Sequence, residues 1–222
     1  MRFFFLAMKL HPEVKEKATD EIDHIITKDR PRLPTLEDRA NMPYITALLK
    51  ETLRWMPIAP LSLPHAVDRE IEFRGYRIPE SAVLLPSIGC FSLDSSVYPN
   101  PTLFDPERFL SPNPELSPET FVFGFGKRIC PGIHLAEASL FLAIAQSLAV
   151  FDIKKPNDAI SGKAIDPVLN STPGIVTYPI DYLCDITPRS EKHRQLVLAV
   201  DKEHPWDERN AKFIQGINTK NV

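Results

Sequence analysis

The sequence predicts a mainly α chain with small β-sheets, and three observations carry that reading. Apolar residues recur at helical spacing in several stretches, short alternating segments bounded by Gly and Pro stand between them, and a long proline-rich stretch without periodicity precedes the most apolar helix. At 222 residues, 43% hydrophobic and 25% charged, the composition is ordinary for a soluble globular chain with one substantial core. A net charge of −3 with mixed signs lacks the basic stripe of a nucleic-acid partner. Cys90, Cys130 and Cys184 are odd in number and widely spaced, which fits a reduced, cytosol-facing environment and not a disulfide scaffold.

Taken in order, the apolar run Phe3–Met8 is too short to span a bilayer or form a signal-peptide core, so it reads as a helix end, and no membrane span is expected within the chain. His11-Pro12-Glu13 opens a helix with Pro at its first position, continued by Val14, Ala18, Glu21/Ile22 and Ile25. A second helix starts near Asn41-Met42-Pro43, carries the stripe Ile45, Leu48, Leu49, Thr52 and Met56, and stops at Pro57. Alternation on either side of Arg74-Gly75 predicts a hairpin of Ile71, Phe73, Tyr76 and Ile78, with a further strand in 82–85. The 22 prolines are about twice the usual proportion, and six of them lie between Asp94 and Phe121, a stretch whose length in a compact domain points to function. The text 132–146 reads as a core helix, apolar almost all round. Short strands are expected near 150–154, 175–178 and 183–187, and a polar tail, 191–222, expected to be disordered, follows.

The chemistry concentrates in Phe123-x-x-Gly126-x-Arg128-x-Cys130-x-Gly132. Gly126 and Gly132 allow a sharp turn and close approach to a flat cofactor, and Arg128 supplies a fixed cation for a carboxylate such as a propionate. Phe123 can shield the sulfur, and the helix after Pro131 places Cys130 where free N–H groups favour a thiolate. Cys130 therefore reads as a haem-iron ligand. Cys130 and His134 are also four apart on one helical face, but a zinc site needs about four ligands and no second pair stands at suitable spacing.

At these residues the chain resembles the cytochrome P-450 family of haem-thiolate monooxygenases. Matching text runs from Phe4 to about Ser190, and Leu63-Pro64-His65 and Arg74-Gly75-Tyr76-Arg77-Ile78-Pro79 look most like fungal microsomal members. The resemblance implies residues 1–190 as the C-terminal portion of that fold, with 123–132 as the haem-binding loop, and the proline-rich stretch as the meander leading to it. It implies haem b ligated by Cys130, electrons from NADPH through cytochrome P-450 reductase, O₂ as co-substrate, hydroxylation of a small apolar organic substrate, and the cytosolic face of the endoplasmic reticulum for full-length relatives.

Glu51-x-x-Arg54 has the spacing of an i, i+3 ion pair, and its place opposite the apolar stripe predicts an exposed pair of little worth. The resemblance implies the reverse: a buried network of Glu51, Arg54 and Arg108, the last from Pro106-Glu107-Arg108-Phe109, that fixes the meander and cysteine loop without taking part in chemistry. It also implies that His65 faces a propionate, and that Ala59, Leu61 and Leu63 with Pro173, Gly174 and Ile175 line the substrate pocket.

Some positions depart from the family. Ser87, Gly89 and Leu93 stand where relatives usually carry Asn, Trp and a basic residue, which predicts a void and an unsatisfied polar group. Ile133 replaces a residue that is commonly basic. The family's oxygen-activating Ala/Gly-Gly-x-Asp/Glu-Thr motif is absent from this text, which sets a non-catalytic haem-binding remnant or interaction fragment against the monooxygenase reading. Half of such a fold is expected to leave Phe3–Met8, the helix after Cys130 and one haem face without partners.

Overall fold

The computed structural model describes residues 1–26, 32–110, 112–158 and 161–203. Helix α1 (Arg2–Leu10) turns at His11 into α2 (Pro12–Ile25), whose Pro12 occupies the first turn where a missing N–H costs nothing. A 3₁₀ turn (Leu36–Asn41) leads to α3 (Pro43–Trp55). Two antiparallel pairs follow: β1 (His65–Ala66) with β4 (Val83–Leu84), and the hairpin β2 (Ile71–Phe73) with β3 (Tyr76–Ile78) around Arg74-Gly75. After α4 (Ile88–Ser92), a 3₁₀ turn (Pro106–Phe109), α5 (Glu119–Val122) and a second 3₁₀ turn (Gly126–Arg128), the long α6 (Ile133–Val150) runs into β5 (Phe151–Lys154). β6 (Asp185–Pro188) pairs antiparallel with β5, and α7 (Glu191–Glu203) closes the described chain.

The core lies where α1, α2, α3 and α6 meet, filled by Phe4, Met8, Ile22, Leu48, Phe141 and Leu148 among others. Phe3–Met8 is thus no loose end. Phe4, Leu6, Ala7 and Met8 are fully buried, because α1 packs on α2, α3 and β5 and accounts for its own apolar face. The C-terminal strap reinforces it: Lys9 Nζ donates to the Leu183 carbonyl at 2.6 Å, and the Tyr182 hydroxyl donates to the Arg2 carbonyl at 2.6 Å.

Helix α6 is long and apolar enough to cross a membrane by length and composition. Its second half, from Phe141 to Val150, forms the centre of the core, whereas Leu135 in its first turns is 74% exposed. The expected strand near 175–178 does not form. Gly174 has φ +136° and the segment spends its donors elsewhere, Thr177 N–H going to the Ile58 carbonyl at 2.7 Å, so only an isolated bridge joins Ser171 to Pro179. The expected polar tail begins as α7, whose Leu196 and Val197 pack against the core, and its remainder from 204 lies outside the described residues.

Candidate functional site

The cysteine loop is built by backbone conformation more than by side chains. Gly124 and Gly126 have φ of +85° and +55°, a region other residues occupy only at a cost, and they reverse the chain tightly enough for Cys130 N–H to donate to the Phe123 carbonyl at 2.7 Å. Helix α6 begins three residues on, and a Cβ added to Gly132 would come within 3.8 Å of Cys130 Sγ. Phe123 and Cys130 are half-buried, while Arg128 is exposed beside Phe125 and Ile129. His65, half-buried in β1, sits opposite Leu84, and the loop that precedes it exposes Leu61 and Leu63.

Phe123 and Ala59 share the lining of an apolar cavity of about 170 Å³ between α1, α3, α5 and α6, together with Phe3, Thr52, Met56 and Leu140. Leu61, Leu63, Pro173, Gly174 and Ile175 lie outside that lining. Their two segments are nevertheless tied together, since Thr177 N–H bonds to Ile58. Thr52 and Met56 were legible in the sequence as helix stripe; their role as cavity wall needed the three-dimensional packing. At position 89 the expected void is filled: Pro60 would lie 3.3 Å from an added Cβ, and Gly89 N–H donates to its carbonyl at 2.9 Å. One buried side-chain oxygen among the described residues, Ser92 Oγ, has no hydrogen-bond partner.

Behind the loop, Glu51 and Arg54 are fully buried and Arg108 is 7% exposed. Pattern alone places the first two on the solvent side of α3; the proline-rich stretch covers that side. Arg54 uses all five of its N–H donors, two on Glu51 and three on the carbonyls of Ser92, Pro101 and Leu103. Glu51 Oε1 also accepts from Asp105 N–H at 2.8 Å, and Arg108 approaches the same oxygen at 3.4 Å while pairing with Glu115 at 2.8 Å. Burial pushes the Glu51 carboxyl up, against the opposing pull of Arg54, the Asp105 N–H and Arg108. Burial likewise works against the charge of Arg108, and Glu115 and Glu51 outweigh it, so its pKa is raised. The prolines explain the pattern: a segment poor in N–H groups cannot satisfy its own carbonyls, and the arginines do so.

These residues fit a flat, apolar, metal-bearing group. Cys130 is a soft ligand framed by exposed apolar residues. Among the described residues no group of three His, Cys, Asp or Glu side chains could hold a metal ion. A single sulfur donor beside apolar residues fits an iron whose remaining ligands a prosthetic group supplies.

Residues 1–178 match the family model described as Cytochrome P-450. The chain is 48% identical over 204 residues to cytochrome P-450 monooxygenase claR of Ampulloclitocybe clavipes, covering 90% of this chain and 37% of that protein. It is 39% identical over 222 residues to the O-methylsterigmatocystin oxidoreductase of Aspergillus flavus, covering 98% of this chain and 40% of that protein. A zebra fish cytochrome P-450 solved with abiraterone superposes with a TM-score of 0.74 at 31% identity, over 85% of this chain and 44% of that one. The chain thus spans well under half the length of these relatives.

Proposed function

The chain belongs to the cytochrome P-450 family, and from that premise we propose that it carries the sulfur-ligand portion of a haem-thiolate monooxygenase acting on a small apolar organic substrate. The single observation that carries the reading is the closure of the Cys130 loop, with its positive-φ glycines and the Cys130 N–H to Phe123 carbonyl bond. Haem b, when bound, supplies the iron on which O₂ is activated with electrons from NADPH through a reductase, so that one oxygen atom enters the substrate.

The roles of this chain's own residues follow from their chemistry. Cys130 would hold the haem iron through its sulfur, and the backbone bond from Cys130 N–H to the Phe123 carbonyl fixes the loop that carries it. Phe123 keeps water from the sulfur. Gly126 and Gly132 let the backbone come close, and Arg128 and His65 provide donors for the carboxylates at the haem edge. Ala59, Leu61 and Leu63 with Pro173, Gly174 and Ile175 give an apolar wall that excludes water from the substrate. Glu51, Arg54 and Arg108 hold the meander behind the loop and touch no reacting atom. In a full-length protein this arrangement belongs on the cytosolic side of the endoplasmic reticulum membrane.

The test joins this chain to the N-terminal portion of the similar Ampulloclitocybe clavipes protein and records the reduced carbon monoxide complex. A red-shifted Soret band that survives Cys90→Ser and Cys184→Ser and disappears in Cys130→Ser supports the assignment. Retention of the band in Cys130→Ser would overturn it. Haem binding with that band but without substrate oxidation would reduce the reading to a haem-binding module.

A further inference from the structure

Tyr98 is absent from every motif considered so far, yet it is completely buried at the junction of the Glu51–Arg54–Arg108 cluster and the segment entering the cysteine loop. The Arg54 guanidinium lies over its ring, 5.3 Å from the centroid, a cation–π contact that strengthens where water is excluded. Its hydroxyl donates to the Leu116 carbonyl at 2.8 Å, and burial pushes that hydroxyl up to about 12, so it stays a proton donor at any physiological pH. The ring meets Phe121 edge-on at 6.5 Å, Phe121 meets Phe91 at 6.1 Å and 79°, and Phe91 meets Phe125 at 6.4 Å and 84°. Phe125 caps the 3₁₀ turn Gly126–Arg128, and its carbonyl accepts Arg128 N–H at 3.2 Å. An unbroken succession of ring contacts therefore runs from a buried guanidinium to the turn that carries Arg128.

We propose that Tyr98 is a positioning residue that couples the buried Glu51–Arg54–Arg108 cluster to the cysteine loop, through its hydroxyl on Leu116 and through the ring succession Phe121, Phe91 and Phe125. Packed aromatic rings resist the small rotations that would let the loop open, and Phe125, 45% exposed on its other side, is met edge-on by Phe91. The functional meaning of a rigid loop rests on the reading of Cys130 as a ligand. The rigidity itself does not, so a thiol assay and the carbon monoxide spectrum can fail independently.

The experiment uses the 222-residue chain carrying Cys90→Ser and Cys184→Ser, and measures the rate at which Cys130 reacts with a thiol-specific disulfide reagent. Phe91→Leu, at a partly exposed rung, and Tyr98→Phe, which keeps the ring and loses the hydroxyl, are the informative variants. Loss of the edge-to-face contacts in Phe91→Leu, and of the hydrogen bond to Leu116 in Tyr98→Phe, should each speed the reaction roughly three- to tenfold. Phe104→Leu is the control, because Phe104 is buried like Tyr98 but stacks on His11 and meets Trp55 edge-on, outside the ring succession. It should lower overall stability and leave the Cys130 rate unchanged. The inference is overturned if Phe91→Leu and Tyr98→Phe both react at the parent rate, or if Phe104→Leu accelerates the reaction as much as they do.

Discussion

Arg54 grips Glu51 with two hydrogen bonds of 2.7 Å, Nε to Oε2 and Nη2 to Oε1, and neither side chain has any exposure to solvent. A pair this deep holds together because Arg54's remaining donors reach backbone carbonyls of the meander and Glu51 accepts Asp105 N–H. Removing one charge leaves the other without a counter-ion in a site water does not enter. Glu51→Gln should therefore destabilise the fold by about 3–5 kcal/mol. Urea unfolding checks the size. In this chain joined to the N-terminal portion of the similar Ampulloclitocybe clavipes protein, the same change should lower the yield of haem-loaded material, and any molecules that do load haem should turn over normally.

This network also marks the limit of pattern reading. Local pattern gave α2, α3, α6, the hairpin and the Cys130 turn, because each depends on local spacing or on Gly and Pro conformations, but it gave neither the short α4 and α5 nor α7, where a disordered tail was expected. It placed Glu51 and Arg54 on the wet side of α3 because a period reports which face is apolar, not what a later proline-rich segment lays over the other face. The resemblance implied such a cover; in the structure the Pro101 and Leu103 carbonyls accept from Arg54. The fate of 175–178 depended on the Gly174 backbone and on long-range bonds from Thr177 to Pro57 and Ile58, which no local pattern encodes.

Helices α1 and α6 provide a contrast between two apolar positions. Phe4 is fully buried against the core, so Phe4→Ala should cost about 3–5 kcal/mol through lost transfer energy and a cavity. Leu135 is 74% exposed, and Leu135→Ala should change stability by less than about 0.5 kcal/mol. Denaturant midpoints of the two variants measure the difference. Similar losses would contradict the placement of α1 in the core.

Acid should weaken the turn before α3. Asp38 is held well below the ordinary carboxylate range by its side-chain bonds from Arg32, reinforced by Thr35 N–H and hydroxyl, and overcoming the opposing effect of burial. A carboxyl depressed in the folded state stabilises it fully above its unfolded pKa, and that contribution disappears as pH falls through the folded value. Stability from Asp38 is thus intact at pH 7 and should decline progressively below about pH 4. Asp38→Asn should remove about 0.5–2 kcal/mol at pH 7, the usual worth of a capping carboxylate, and should flatten that part of the acid limb. Unfolding free energies of the two proteins between pH 7 and pH 3 provide the check.

The behaviour of the 222-residue chain by itself follows from a division within the molecule. On one side α1, α2, α3 and the second half of α6 bury one another, which predicts cooperative unfolding of the helical core. Around Cys130 the balance differs: Phe125, Ile129, Leu61 and Leu63 are between 45% and 64% exposed, and Leu135 is more so. Apolar surface left uncovered on the segments that frame a site favours self-association. Sedimentation velocity should show a mass that rises with concentration, and Leu135→Glu should shift the distribution toward monomer. Haem added to this chain should bind below one per chain, since Leu61, Leu63, Phe125 and Ile129 stand open to water and hold no closed apolar slot for it, and reductase with NADPH should yield no product. A concentration-independent monomer that binds one haem per chain and oxidises substrate would show that these residues suffice alone.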